Sequence, residues 1–240
     1  MKQIRIGNVK IDNLHAKEAV DFAMDAAHAP CFVVTPNAVM LEKCRHSPAL
    51  VSLLNRATLS LADGVGVIRA ARRMGTPLAE RVAGIDFGEA LLSRAAEEGL
   101  RVFLLGGEDG IAERAAKRLT AKYPTLCICG TYWGYFREDG EDDRRLISVL
   151  RVLRPDLLFV CMGFPLQEQW IASHLDCLSD VRVIAGLGGS LDVWAGKVQR
   201  APRMLSRMGL EWAWRIAAEP KKRLSQIPAL VRFSLFGHRG

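Results

Sequence analysis

Four short, unbroken apolar runs constrain this chain most: CFVV (31–34), RVFLLGG (101–107), DLLFVCMG (156–163) and VRVIAGLGG (181–189). Each is shorter than a typical helix, rich in branched or aromatic residues, and closed by Gly, Pro or polar residues, which marks a strand. A strand that is apolar on both faces has to be covered on both faces. The covering material lies between the runs. HAKEAVDFAMDAAHA (15–29), IDFGEALLSRAAEEG (85–99), GIAERAAKRLTAKYP (110–124), DDRRLISVLRVLRP (142–155) and LQEQWIASHLD (166–176) are longer and carry apolar residues at helical spacing. Further units are an opening strand or hairpin at IRIGNVKI, a helix broken near Pro48, a short strand in TLSLADG, a helix in VGVIRAARRMG, and strand plus loop in TLCICGTYWGYF. Strands alternating with helices predict an α/β fold with a mostly parallel sheet and helices on both faces. The chain divides into an α/β domain over 1–196 and an appendage over 197–240.

That division rests on pattern and charge. After residue 196 strand signals stop and the sequence becomes helical, basic and aromatic. Residues 197–240 hold ten Lys or Arg against two Glu, whereas the first 196 residues are nearly neutral. Such a segment seeks an anionic surface, either nucleic acid or lipid headgroups. Trp212, Trp214, Phe233 and Phe236 suit a headgroup boundary, although a helix packed on the domain would show the same apolar side. The charge concentration favours the membrane. No run of about eighteen uncharged apolar residues occurs, so no spanning helix is expected. The first residues lack a secretory signal pattern, which points to the cytoplasm. The six cysteines show neither CxxC nor zinc spacing and read mostly as reduced core residues.

In open α/β sheets ligands bind beyond the carboxyl ends of the strands. Polar or Gly-rich residues follow almost every strand here. Asp63, between an apolar strand and Gly64, is either a turn or capping residue or a carboxylate that takes a proton from an attacking hydroxyl. Asn37 in TPN is either a helix cap or a hydrogen-bond partner for sugar hydroxyls. Arg81, in the otherwise small and apolar RVAG, is either solvated or aimed into the cleft, where its fork suits a diphosphate. Gln167 enters the first turn of a helix and is read as facing the rim. The glycine turns at 106–107 and 186–189 complete neither a dinucleotide fingerprint nor a P-loop. There is no D-x-D pair to hold a divalent metal, so no metal site is expected and a departing diphosphate would depend on arginines or backbone amides. A nucleotide-dependent oxidoreductase and a basic nucleic-acid-binding module remain alternatives.

Taken together, TPNAVML, LADGVGV, ERVAGID, FLLGG, GYF, MGFPLQEQW and GLGGSLDVWAGKVQRAPRMLSRMGLEWAWRIAAEPKKRL resemble the WecG/TagA/CpsF family of bacterial glycosyltransferases. The resemblance runs from about residue 5 to about 225. It implies a Rossmann-like domain without a metal or other cofactor, and a C-terminal helical appendage that associates with the membrane. It implies an inverting transfer from a UDP-sugar, N-acetylmannosamine foremost and glucose or a uronic acid otherwise. The acceptor would be a sugar on an undecaprenyl diphosphate lipid, at the inner face of the membrane, in cell-surface polymer synthesis. Nucleic acid is not an expected partner, and the state of oligomerisation stays open. Carried over by motif, Asp63 is the general base and Arg81 an arginine required for activity. Thr35, Asn37 and Gln167 are polar cleft residues, Tyr135 and Asp192 line the nucleotide pocket, and Arg215 and Arg223 reach back to the diphosphate. The chain departs from the family's usual Phe-Asp-Phe at Leu191-Asp192-Val193, where donor choice would be affected.

Overall fold

The computed structural model describes residues 2–202, 204–205, 210–218, 220 and 224–236, without the side chains of 215 and 236. A two-stranded antiparallel hairpin, β1 (Gln3–Ile6) and β2 (Val9–Asp12), opens the chain. The main sheet holds β3 (Cys31–Val34), β4 (Leu59–Ser60), β5 (Arg101–Gly106), β6 (Cys127–Tyr132), β7 (Leu157–Cys161) and β8 (Val183–Gly186). Their order is β4-β3-β8-β7-β5-β6 and every pairing is parallel. The three strands β3, β7 and β8 are buried along their whole length, as continuous apolar runs require. Edge strand β6 is more exposed, and its Cys127 faces solvent while Cys31, Cys44 and Cys161 lie in the interior.

Helices cover both faces of the sheet. One face carries α1 (Ala16–Met24), α5 (Gly84–Glu98), α6 (Ile111–Lys122) and α9 (Ser190–Trp194), which share a core with Val33, Leu104, Phe159 and Ala185. The other carries α2 (Ala38–Cys44), α4 (Val65–Arg73), α7 (Glu141–Leu153) and α8 (Leu166–His174), packed on Phe32, Phe103, Val160 and Ile184. The helix α3 (Pro48–Asn55) follows the break at Pro48, with Ser47 capping its start. The chain leaves β3 toward one face and β8 toward the other, so the crevice between their carboxyl ends is a topological switch point. Right-handed crossovers on opposite faces force such a point in any sheet wound from the middle.

The described residues that follow include two helices, α10 (Glu211–Ala218) and α11 (Ile227–Phe236). Packing of α11 against α2 and α4 puts Phe233 in the body's core at 3% exposure. Gly66 lets α4 come close to α2, since a Cβ there would stand 3.1 Å from the Ala38 Cβ, and the Phe233 ring packs at ordinary contact distance beside it. The expectation of a headgroup-facing Phe233 is therefore corrected, because the ring is buried with Met40, Leu41 and Val67 in the body's core. Trp214 donates its indole N–H to the Gln199 carbonyl at 3.1 Å, while Trp212 stays 51% exposed. Among the described residues no helix is long and apolar enough to cross a membrane.

Trp170 anchors α8 by donating its indole N–H to Asp143 Oδ1 of α7 at 2.7 Å, with both side chains buried. Trp170→Phe leaves a buried carboxylate short of one donor. It is expected to lower stability by about 2 kcal/mol, read as a lower denaturant midpoint at unchanged slope.

Candidate active site

Three loops meet at the carboxyl ends of β3 and β4, and backbone hydrogen bonds stitch them together. Leu61 N–H donates to the Val34 carbonyl at 2.9 Å and Asp63 N–H to the Pro36 carbonyl at 3.0 Å. Val82 N–H donates to the Ala62 carbonyl at 3.0 Å. The segments TPN, ADG and ERVAG are thereby fixed against one another by main chain. Gly64 follows with φ +97°, a left-handed region that strains any other residue, and α4 starts there. That turn leaves the Asp63 side chain outside the helix cap, and it lines an open cavity of about 370 Å³.

One wall of the cavity comes from Asn37, Asp63, Arg69, Arg73 and Arg81, the opposite wall from α10 and α11. Arg81 donates from Nη1 to Glu211 Oε2 at 3.1 Å, with both side chains mostly buried. Asn37 also lines the cavity, but its Oδ1 is already engaged, accepting from the Val39 and Met40 amides at 3.0 and 3.2 Å. It caps α2 at the edge of the cavity. Among the described residues no three His, Cys, Asp or Glu side chains gather into a metal-holding group. The cations that line the cavity among them are Arg69, Arg73 and Arg81.

The other expected site residues lie elsewhere. Thr35 is buried at the switch point, its hydroxyl donating to the Gly186 carbonyl at 3.4 Å, and it packs on Gly84. Gln167 is turned inward rather than toward the rim, at 3% exposure. Its Oε1 accepts from the Gly163 amide at 3.1 Å and the Gly188 amide at 2.9 Å, so it clamps the loop after β7 to the loop after β8. A Cβ on Gly186 would sit 2.8 Å from the Gln167 amide nitrogen, which explains the glycine. Asp192 stands 3.7 Å from Lys197 Nζ, and Tyr135 is 63% exposed on the loop after β6. Arg223 and the side chain of Arg215 lie outside the described residues. Sequence reasoning missed Arg69, Arg73 and Glu211. The four-residue spacing of the two arginines on one helix face was readable, but a solvated helix shows the same spacing.

A carboxylate and arginines at the strand ends of a covered parallel sheet, facing one cavity, suit a group-transfer enzyme. Similarity settles the class as a glycosyltransferase. The chain belongs to the Glycosyl transferase WecG/TagA/CpsF family, which it matches over residues 4–237. Three relatives come from Staphylococcus aureus strains NCTC 8325 / PS 47, COL and N315. Each is named N-acetylglucosaminyldiphosphoundecaprenol N-acetyl-beta-D-mannosaminyltransferase. Each is 36% identical over 202 residues, covering 83% of this chain and 78% of the relative. Family membership decides among the three readings of the sequence in favour of the transferase.

Beneath the clamp, Gln167 Nε2 donates to Glu168 Oε1 at 2.8 Å, and Glu168 is fully buried. Burial pushes the Glu168 carboxyl up to about 7, against a smaller downward pull from the Gln167 hydrogen bond. Among the described residues its Oε2 has no hydrogen-bond partner, so no donor there favours the charged form. From about 4.5, where the unfolded carboxyl titrates, to about 7, the folded chain holds a proton the unfolded chain has lost. Stability therefore falls as pH rises through that window, by on the order of 3 kcal/mol for this group. Glu168→Gln is expected to remove most of that slope in denaturation curves between pH 5 and 8. An unchanged slope would assign it to other groups.

Proposed function

We propose that this enzyme moves a sugar from a UDP donor to a sugar carried on a polyprenyl diphosphate, with inversion at the transferred carbon. N-acetylmannosamine is the favoured donor sugar, because the relatives at 36% identity are named for it and for an acceptor of that type. Glucose and a uronic acid are the alternatives to assay. The reaction belongs to cell-surface polymer synthesis at the inner face of the membrane. The basic C-terminal segment, with half-exposed Trp212, Val231 and Leu235, supports a resting place on anionic lipid.

The observation that carries the reading is Asp63 lining the same cavity as Arg81 and the two C-terminal helices. Asp63 takes the proton from the acceptor hydroxyl as that oxygen attacks the anomeric carbon of the donor from the face opposite UDP. The C–O bond to UDP breaks, and the diphosphate charge grows as it leaves. Arg81 meets that charge by exchanging Glu211 for phosphate oxygens, and its planar fork can bind two of them. Glu211 keeps Arg81 oriented until then. Transfer on this reading needs no divalent metal, and Arg215 and Arg223 of the C-terminal segment add to the diphosphate's positive surroundings. Thr35 and Gln167 serve by holding the switch-point loops in shape, and Asn37 serves the sugar. Tyr135 and Asp192 border the nucleotide.

General base catalysis typically contributes ~10²–10⁴-fold. Asp63→Asn is expected to lower kcat by about that factor. It should leave UDP binding, read as a rise in melting temperature, unchanged. Near-normal turnover in Asp63→Asn would overturn the assignment.

A further inference from the structure

The proposed acceptor has three chemistries in line: a polar sugar, an anionic diphosphate and an apolar chain. This inference rests on that acceptor reading. The cavity offers the same three. Asp63 and Asn37 are polar, Arg69 and Arg73 are cationic, and Ile227, Leu230 and Val231 are apolar. Their order follows from α4. The helix begins beside Asp63, and each residue advances about 1.5 Å along the axis, so Arg69 lies roughly 6 Å beyond Val65 and Arg73 roughly 12 Å beyond it. Four residues apart, the two arginines share one face of the helix.

The two arginines have different employment. Arg73 donates from Nη1 to the Ser234 carbonyl of α11 at 2.6 Å, which ties α11 to α4. Arg69 lines the cavity, and among the described residues it meets no carboxylate or carbonyl. Arg81, by contrast, is held by Glu211. Arg69 is thus a cation ready to receive an anion, placed beside an apolar wall whose Val231 is 51% exposed. A nucleotide diphosphate has no use for that wall, whereas a prenyl diphosphate uses both.

We propose that Arg69, assisted by Arg73, binds the diphosphate of the prenyl-linked acceptor, and that Leu230 and Val231 receive its first isoprene units. The guanidinium fork takes two phosphate oxygens, and the chain runs along α11 toward the membrane. Catalysis by Asp63 then acts on a sugar whose position is set by its diphosphate.

The test titrates the full-length enzyme with farnesyl diphosphate and, separately, with UDP, by calorimetry. Arg69→Gln is expected to weaken farnesyl diphosphate at least tenfold and leave UDP binding unchanged. Val231→Asp, at a half-exposed position that does not threaten the fold, is expected to abolish the preference for farnesyl diphosphate over inorganic diphosphate. Unchanged farnesyl diphosphate affinity in Arg69→Gln, or a loss of UDP affinity instead, would overturn the site. With a lipid-linked acceptor, Arg69→Gln should raise the acceptor KM about tenfold at constant donor KM. An unchanged acceptor KM in an active enzyme would sink this site and leave the reaction standing. Arg69-dependent binding of farnesyl diphosphate without transfer to any lipid-linked sugar would uphold the site and sink the reaction.

Discussion

The structure turns on the seating of α11 against α2 and α4. Phe233 is buried in the core between α2 and α4, and burying such a ring contributes about 1.5–3 kcal/mol. Arg232 of α11 stands 3.2 Å from Glu42 Oε1, a carboxylate that is itself 2% exposed on α2. Arg45 and His46 face the same carboxylate. A buried charge is costly unless paired, so Glu42 strongly favours the arrangement that brings Arg232 to it. Together with the bond from Arg73 to the Ser234 carbonyl, these contacts convert the end of the chain into one wall of the cavity.

The opposite wall depends on the sheet. Because β3 and β8 send their chains to opposite faces, a crevice opens between their ends, and Thr35 and Gln167 hold its sides by hydrogen bonds to and from glycine backbone. Asp63 sits on a loop that main-chain hydrogen bonds fix to the ends of β3 and β4. A carboxylate that must meet a hydroxyl at hydrogen-bond distance gains from this rigidity, since productive geometry tolerates little displacement. Arg81 and Glu211 join the two walls electrostatically, so the rest of the chain and its C-terminal segment share a charge pair where the chemistry is proposed.

The parts of the fold that were legible were those set by local physics. Continuous apolar runs gave β3, β5, β7 and β8, the alternating start marked β structure that the fold resolves into a hairpin, and Pro48 marked the break before α3. The sequence pattern also drew attention to Asp63 and Arg81, which the cavity brings together with Asn37. What escaped was decided by partners far along the chain. Gln167 turns inward because the amides of Gly163 and Gly188 converge on it, and no periodicity announces that. Phe233 reads as a membrane aromatic until α2 and α4, far earlier in the chain, are seen to bury it. Arg69 and Arg73 are exposed and look like an ordinary solvated pair until α11 is seen to line the same open cavity. The family resemblance located the reaction class, but the shape of the cavity needed the C-terminal helices in place.

Hydrogen exchange on the full-length enzyme, with and without a lipid-linked acceptor, addresses the shared cavity most directly. Amides at the start of α4, residues 65–68, and amides of α11, residues 230–235, should gain protection together and over the same range of acceptor concentration. Protection confined to the glycine turns after β5 and β8, with α11 unaffected while transfer proceeds, would contradict a site built between the sheet and the C-terminal helices.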